Sequence, residues 1–141
     1  MLKTTYFTLL TLFFTTVLVA QDVKFKNKIV SIDQNEVLNY EQPFMSDNMT
    51  FFKLNSKEEI LYLQYTNDPH SRKANMLYYT IAFVQQKVSF ETQKFNQQGL
   101  KKVFKKMVKE GIVLPDGTID VDAMERFKVK YEDNITKFLV R

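Results

Sequence analysis

Across residues 23–91 apolar side chains recur in short runs with a two-residue period, and beyond residue 95 they recur at helical spacing. The first pattern predicts strands and the second predicts helices. Val23, Phe25, Ile29, Val30 and Ile32 form short extended pieces, broken at Asn27-Lys28 and again at Asp33-Gln34-Asn35-Glu36, so a small meander opens the sheet. Val37-Leu38-Asn39-Tyr40 reads as the next strand, Pro43 interrupts it, and residues 45–48 form a loop. Residues 50–54 and 60–66 follow as two strands around the polar break Asn55-Ser56-Lys57-Glu58-Glu59, a hairpin signal of the longer kind. Outside the first twenty residues, residues 75–90 make the densest run of β-branched and aromatic side chains. From Met76 to Val84 both alternating faces are apolar apart from Thr80, which suits a strand covered on both sides. Past Val84 the run either continues to an exposed end or turns at Gln85-Gln86, and the pattern fits both.

The helical part is written more plainly. Leu100, Val103, Phe104, Met107 and Val108 fall at i, i+3, i+4, i+7 and i+8 and span an arc of roughly 140° at 100° per residue. Lys101, Lys102, Lys105, Lys106 and Lys109 occupy the opposite arc. Asn96 is the expected N-cap of this helix, and Gly111 stands where a left-handed residue closes one. Ile112-Val113-Leu114 leads into Pro115-Asp116-Gly117-Thr118, a turn sequence. A second helix is expected after it, capped by Asp120 or by Asp122 with Glu125 three residues on. Its inward set is Val121, Met124, Phe127 and Tyr131, Asp133-Asn134 ends it, and the tail docks through Phe138 and Leu139.

The first residues change the picture from a cell-interior domain to an exported one. Lys3 precedes an apolar stretch from Tyr6 to Val19, and Leu18-Val19-Ala20 stands before Gln21-Asp22, the order of parts in a secretory signal peptide cut after Ala20. The stretch is broken by Thr8, Thr11, Thr15 and Thr16 and falls short of the ~20 apolar residues that span a bilayer. Residues 1–20 are therefore expected to be the leader, and residues 21–141 a single exported domain, periplasmic or secreted. The formal charge of +4 drops to +3 once Lys3 is removed, too mild to argue for nucleic acid. The absence of cysteine excludes disulfides, thiol catalysis, thiolate metal ligands and a lipid-modified N-terminal cysteine. With 13 Phe and 7 Tyr, the core is expected to be built largely from rings.

Several of these stretches carry a resemblance. The leader ending Ala20-Gln21, Val23-Lys24-Phe25 with its meander, Lys109-Glu110-Gly111-Ile112-Val113, Asp116-Gly117-Thr118-Ile119-Asp120, Phe127 and Lys130-Tyr131-Glu132-Asp133-Asn134-Ile135-Thr136 together resemble small uncharacterised exported proteins of flavobacteria-like bacteria. The resemblance implies export and carries no activity, cofactor or site residue with it.

Candidate chemistry is sparse. His70, the sole histidine, stands beside Asp68 and Ser71 on one polar loop, whereas a serine triad needs side chains that converge from separate parts of a fold, and no Gly-x-Ser-x-Gly elbow is present. Asp116, Asp120, Asp122 and Glu125 invite a calcium reading. Aligning Gly117 with the loop glycine of an EF-hand puts Ile112 and Leu114 at ligand positions and Ala123 at the bidentate glutamate, so turn and cap chemistry explains these acids better. Asn48 and Asn134 open glycosylation sequons that matter only in a eukaryotic host. No catalytic residue, cofactor site or metal site is assigned.

The expected fold is α+β: an antiparallel meander of about five to seven short strands over residues 23–91, followed by two C-terminal helices packed on one face. The leading functional expectation is an exported non-catalytic module that binds a protein partner or an envelope component. Its candidate contacts are an anionic surface met by Lys101, Lys102, Lys105, Lys106 and Lys109, and an apolar face formed by Tyr78, Tyr79 and Phe83. The alternative is a carrier of a small apolar ligand or lipid, with a cavity between the aromatic sheet and the helices.

Overall fold

The computed structural model describes residues 20–68, 76–95 and 98–135. The elements are β1 (Val23–Lys26), β2 (Ile29–Ile32), β3 (Asn35–Glu41), β4 (Asn48–Lys53), β5 (Glu59–Asp68), β6 (Met76–Phe83), β7 (Val88–Thr92), α1 (Leu100–Lys109) and α2 (Val121–Tyr131). Residues 1–19 of the expected leader (1–20), His70 with Ser71, the Asn96 cap and the tail with Phe138 and Leu139 lie outside the described residues.

Seven strands form one sheet in the order β1-β2-β3-β4-β5-β6-β7, every neighbouring pair antiparallel. The fold is therefore the expected α+β meander with two helices after it. Its first two turns are two-residue hairpins. Asn27 and Lys28 have φ of 52° and 62°, and Asp33 and Gln34 have φ of 51° and 70°, so both residues of each turn are left-handed, as the twist of a tight hairpin demands. The run beginning at Met76 ends at Phe83 and turns through residues 84–87, so β6 and β7 are separate strands.

Side-chain alternation sends Phe25, Val30, Leu38, Phe51, Leu61, Tyr79, Ile81, Phe83 and Phe90 to the face that carries the helices. There α1 lies over β5 and α2 over β7. Rings run through the layer between them, but Val, Leu, Ile and Met side chains outnumber them, so the core is less aromatic than the composition implied. Phe51 stacks on Phe104 with centroids 4.3 Å apart and planes 13° from parallel, while Phe25 meets Phe104 edge-on at 5.6 Å. Under α2, Phe127 meets Phe90 at 6.1 Å, Phe95 at 6.0 Å and Tyr131 at 4.5 Å.

Two β-bulges interrupt the alternation, one in β3 opposite Val30/Ser31 and one in β5 opposite Phe51/Phe52. Each leaves one extra residue in its strand, Val37 and Ile60, and both extra residues are buried. They line, with Leu38, Gly117 and Ile119, a cleft of about 280 Å³ against which the α1–α2 connector is seated. The connector is itself a small hairpin, closed by a Val113–Ile119 bridge and by Leu114 N–H donating to the Thr118 carbonyl at 2.9 Å.

The helix ends follow the expectations in part. Gly111 closes α1 with φ of 78° as expected, but its N-cap is Gly99 rather than Asn96, and no side chain caps it. Asp120 caps α2, its carboxylate accepting from Ala123 N–H at 2.8 Å. In α2 the inward set is Ala123, Met124, Phe127 and Tyr131. Val121, expected inward, is exposed because it occupies the first helical position, above the rim of the layer.

The opposite face of the sheet is partly covered. Asp133 N–H donates to the Glu91 carbonyl at 2.8 Å, and the Asp133 carboxylate accepts from Gln93 N–H at 2.8 Å and Thr92 Oγ1 at 3.3 Å. These bonds strap the chain after α2 along the β7 edge. They also bring Ile135 onto Met76 and Tyr78, a small second cluster on the face away from the helices.

Candidate functional site

The candidate cationic face rests on α1, and the layer beneath it decides which lysines are available. Lys101 and Lys106 lie at the two flanks of the polar arc, next to the packed layer, whereas Lys102, Lys105 and Lys109 lie at its centre. Lys101 Nζ sits 5.4 Å from the Phe25 ring and 5.7 Å from the Tyr40 ring, an aromatic clamp on its ammonium. Lys106 Nζ is 3.2 Å from Glu110 Oε1, one turn on, and 5.5 Å from the Tyr131 ring. Lys102, Lys105 and Lys109 are exposed and form no ion pair or ring contact among the described residues. Of the lysines expected on this face, two are therefore taken up by the protein itself. The other three form a stripe about 10 Å long, from the seven-residue span at 1.5 Å per residue.

Glu110 is the hub that ties α1 to α2, and pattern reading had not singled it out. Besides Lys106 it meets Lys130 Nζ at 3.5 Å and accepts from the Tyr131 hydroxyl at 2.9 Å. Burial alone would push its carboxyl up. The Tyr131 and Lys106 hydrogen bonds, with the charges of Lys106 and Lys130, outweigh burial and hold it below its ordinary value. A depressed folded-state pKa means that the charged network stabilises the protein above the unfolded-state value near 4.5, and that this is lost as pH falls through the lower folded-state value. Glu110→Gln should accordingly melt below wild type at pH 7, with the gap closing on acidification below about pH 4.5. Thermal melts of both proteins from pH 7 to pH 3 measure this, and a gap independent of pH would refute it.

The second candidate group is split by the fold. Tyr79 and Phe83 point into the helix-covered core, at 3% and 0% exposure. Tyr78 takes the opposite face beside Met76 and Ile135. The three do not make one surface, because a strand alternates its side chains and 78 differs in parity from 79 and 83. Tyr79 has a positional task. Its hydroxyl donates to the Gln98 carbonyl just before α1, and burial first, with the neighbouring Tyr65 adding to it, pushes the phenol up to about 12, so it remains a donor. The acids of the expected turn behave as turn and cap groups: Asp116 accepts from Thr118 N–H at 2.9 Å and from its hydroxyl at 2.6 Å, while Asp120 holds the start of α2.

Depressions among the described residues lie at the edges of the sheet and on its outer face, where one of about 490 Å³ runs between Lys28, Asn39, Phe52 and Glu59. Another, of about 660 Å³, follows the β7 edge between Ser89, Glu91, Glu132 and Asn134. Burial pushes the Glu91 carboxyl up there. A third, of about 320 Å³, is lined by Gln42, Ser46 and Asp47 of the β3–β4 loop together with Gln98, Gly99 and Leu100 at the start of α1, with Tyr65 and Tyr79 between them. That loop carries Phe44 and Met45, exposed at 94% and 89%. Among the described residues no helix is long and apolar enough to cross a membrane. Comparison with protein-family models, with curated proteins and with solved structures finds no match to this chain.

Proposed function

We propose that this is an exported, non-catalytic module that binds an envelope component, and that the component is an anionic lipid surface. The observation that carries the reading is the stripe of Lys102, Lys105 and Lys109, exposed along one helix while the flanking lysines are held by rings and by Glu110. A stripe of ammonium groups without carboxylate partners is a local positive field, each lysine worth about 1 kcal/mol near an anionic membrane. The leader-like first residues support export, and the closely packed layer under α1 favours a surface contact over an enclosed ligand. The test is sedimentation with vesicles of phosphatidylglycerol and phosphatidylcholine. Wild type should bind the anionic vesicles, and Lys102→Glu/Lys105→Glu/Lys109→Glu should lose at least tenfold in affinity with an unchanged melting temperature. Equal binding by wild type and the triple variant, or no binding by wild type, would overturn the proposal.

A further inference from the structure

We propose that the Pro43-Phe44-Met45-Ser46 turn between β3 and β4 is an apolar anchor that inserts into the interface of a lipid bilayer. The inference rests on the lipid-surface reading above and adds the part that enters the membrane. Phe44 and Met45 are the two most exposed large apolar side chains among the described residues, at 94% and 89%, and they are adjacent. They are held outward by a closed turn rather than left on a slack loop. Ser46 N–H donates to the Pro43 carbonyl at 3.0 Å, and Met45 takes a left-handed φ of 55°. Gln42 Nε2 donates to the Ser46 carbonyl at 3.4 Å, and Ser46 Oγ accepts from Asn48 N–H at 3.1 Å. The base of the loop is pinned to the sheet, Tyr65 N–H donating to the Asp47 carbonyl at 2.7 Å.

Those bonds matter for the choice of partner. The hydrocarbon core of a bilayer offers no hydrogen-bond partners, so any backbone that reaches it must be satisfied internally. This turn meets that requirement at the Pro43 and Ser46 carbonyls, and Pro43 brings no N–H, while the Phe44 and Met45 backbone stays at headgroup level, where water and headgroups pair it and only the two side chains go deeper. A tip of two side chains is also too small for a stable protein interface, which takes about 800 Å² per partner. It suits shallow insertion beside a charged surface. The base of the turn and the first residues of α1 line the same depression, so the tip stands at the end of the sheet from which α1 starts. The turn itself carries no charge, and its flanks hold Glu41 and Asp47, so insertion draws on apolar contact, with the lysine stripe supplying the attraction to anionic headgroups.

The chain has no tryptophan, so Phe44→Trp gives a single reporter at the tip. On anionic vesicles its emission should shift to the blue and be quenched by lipids brominated on the acyl chain. Phe44→Ser/Met45→Ser, which touches no packed residue, should bind these vesicles at least tenfold more weakly at an unchanged melting temperature. Binding of Phe44→Trp without a blue shift or acyl-chain quenching, or wild-type affinity of the serine variant, would overturn the anchor and leave the lysine reading standing. Absence of vesicle binding by wild type would overturn both. A serine variant that keeps vesicle binding but loses a co-purifying protein would mark the tip as a protein contact and overturn the anchor.

Discussion

Gly117→Ala should unfold on the order of 10 °C below wild type, a loss of about 2–5 kcal/mol. Two separate terms produce it. Gly117 has φ of 82°, a conformation that costs an alanine about 1–2 kcal/mol. A Cβ at this position would also lie 2.5 Å from the Val37 carbonyl oxygen and 3.3 Å from Leu38 Cδ2. The first of these is backbone and cannot swing aside, so the connector would have to lift off the β3 bulge. The other two glycines separate the terms. Gly111 has φ of 78° with nothing near its absent Cβ, so Gly111→Ala should show the conformational cost alone, about 1–2 kcal/mol. Gly99 has φ of −64° and open space, so Gly99→Ala lacks both of these costs. Melting curves that rank the three variants in any order other than Gly117, Gly111, Gly99 from most to least damaging would contradict the account.

Removing the ring of Phe104 should cost about as much, about 3–5 kcal/mol in Phe104→Ala, the range for truncating a fully buried aromatic. Its phenyl is the meeting point of three elements: β1 through Phe25, β4 through Phe51 and α1 itself. Little in the surroundings can collapse into the gap, since Phe51 is held in the sheet and Phe25 is already shared with Tyr40 at 5.3 Å and the Lys101 ammonium. A double-mutant cycle with Phe51→Ala isolates the stacked pair, whose coupling should be about 0.5–1.5 kcal/mol. Denaturant titration of the four proteins measures it. Additive losses would mean that the two rings contribute only through the area they bury.

How much of this was legible in the sequence depends on how local the cause is. The apolar arc of α1 and the Asp120 cap, one of the two caps the pattern allowed, rest on spacing within a few residues. The meander was legible for the same reason, since each strand pairs with its neighbour in sequence. The bulges were not. Val37 and Leu38 read as one alternating strand with Tyr40, and only the register against β2 shows that Val37 is the inserted residue. Glu110 was missed because its meaning lies in Lys130 and Tyr131, about twenty residues away on another helix. Tyr78 was grouped with Tyr79 and Phe83 by composition, although strand parity alone separates them. Of the lysine face, the spacing located the side chains, but which of them face solvent unpaired depended on Phe25 and Tyr40, far upstream.

The nearest-neighbour order of the strands also bears on how the chain must assemble. Each hairpin closes a short loop, so the sheet can grow one strand at a time with little entropy lost per step. The contact of Phe25 with Phe104 is of another kind, joining the first strand to the first helix across 79 positions, 104 minus 25. Until α1 arrives, the helix-facing rings of the growing sheet have no cover. A chain that completes the sheet first would pass through a stage in which a broad apolar surface faces water, and docking of the helices would end its exposure to aggregation.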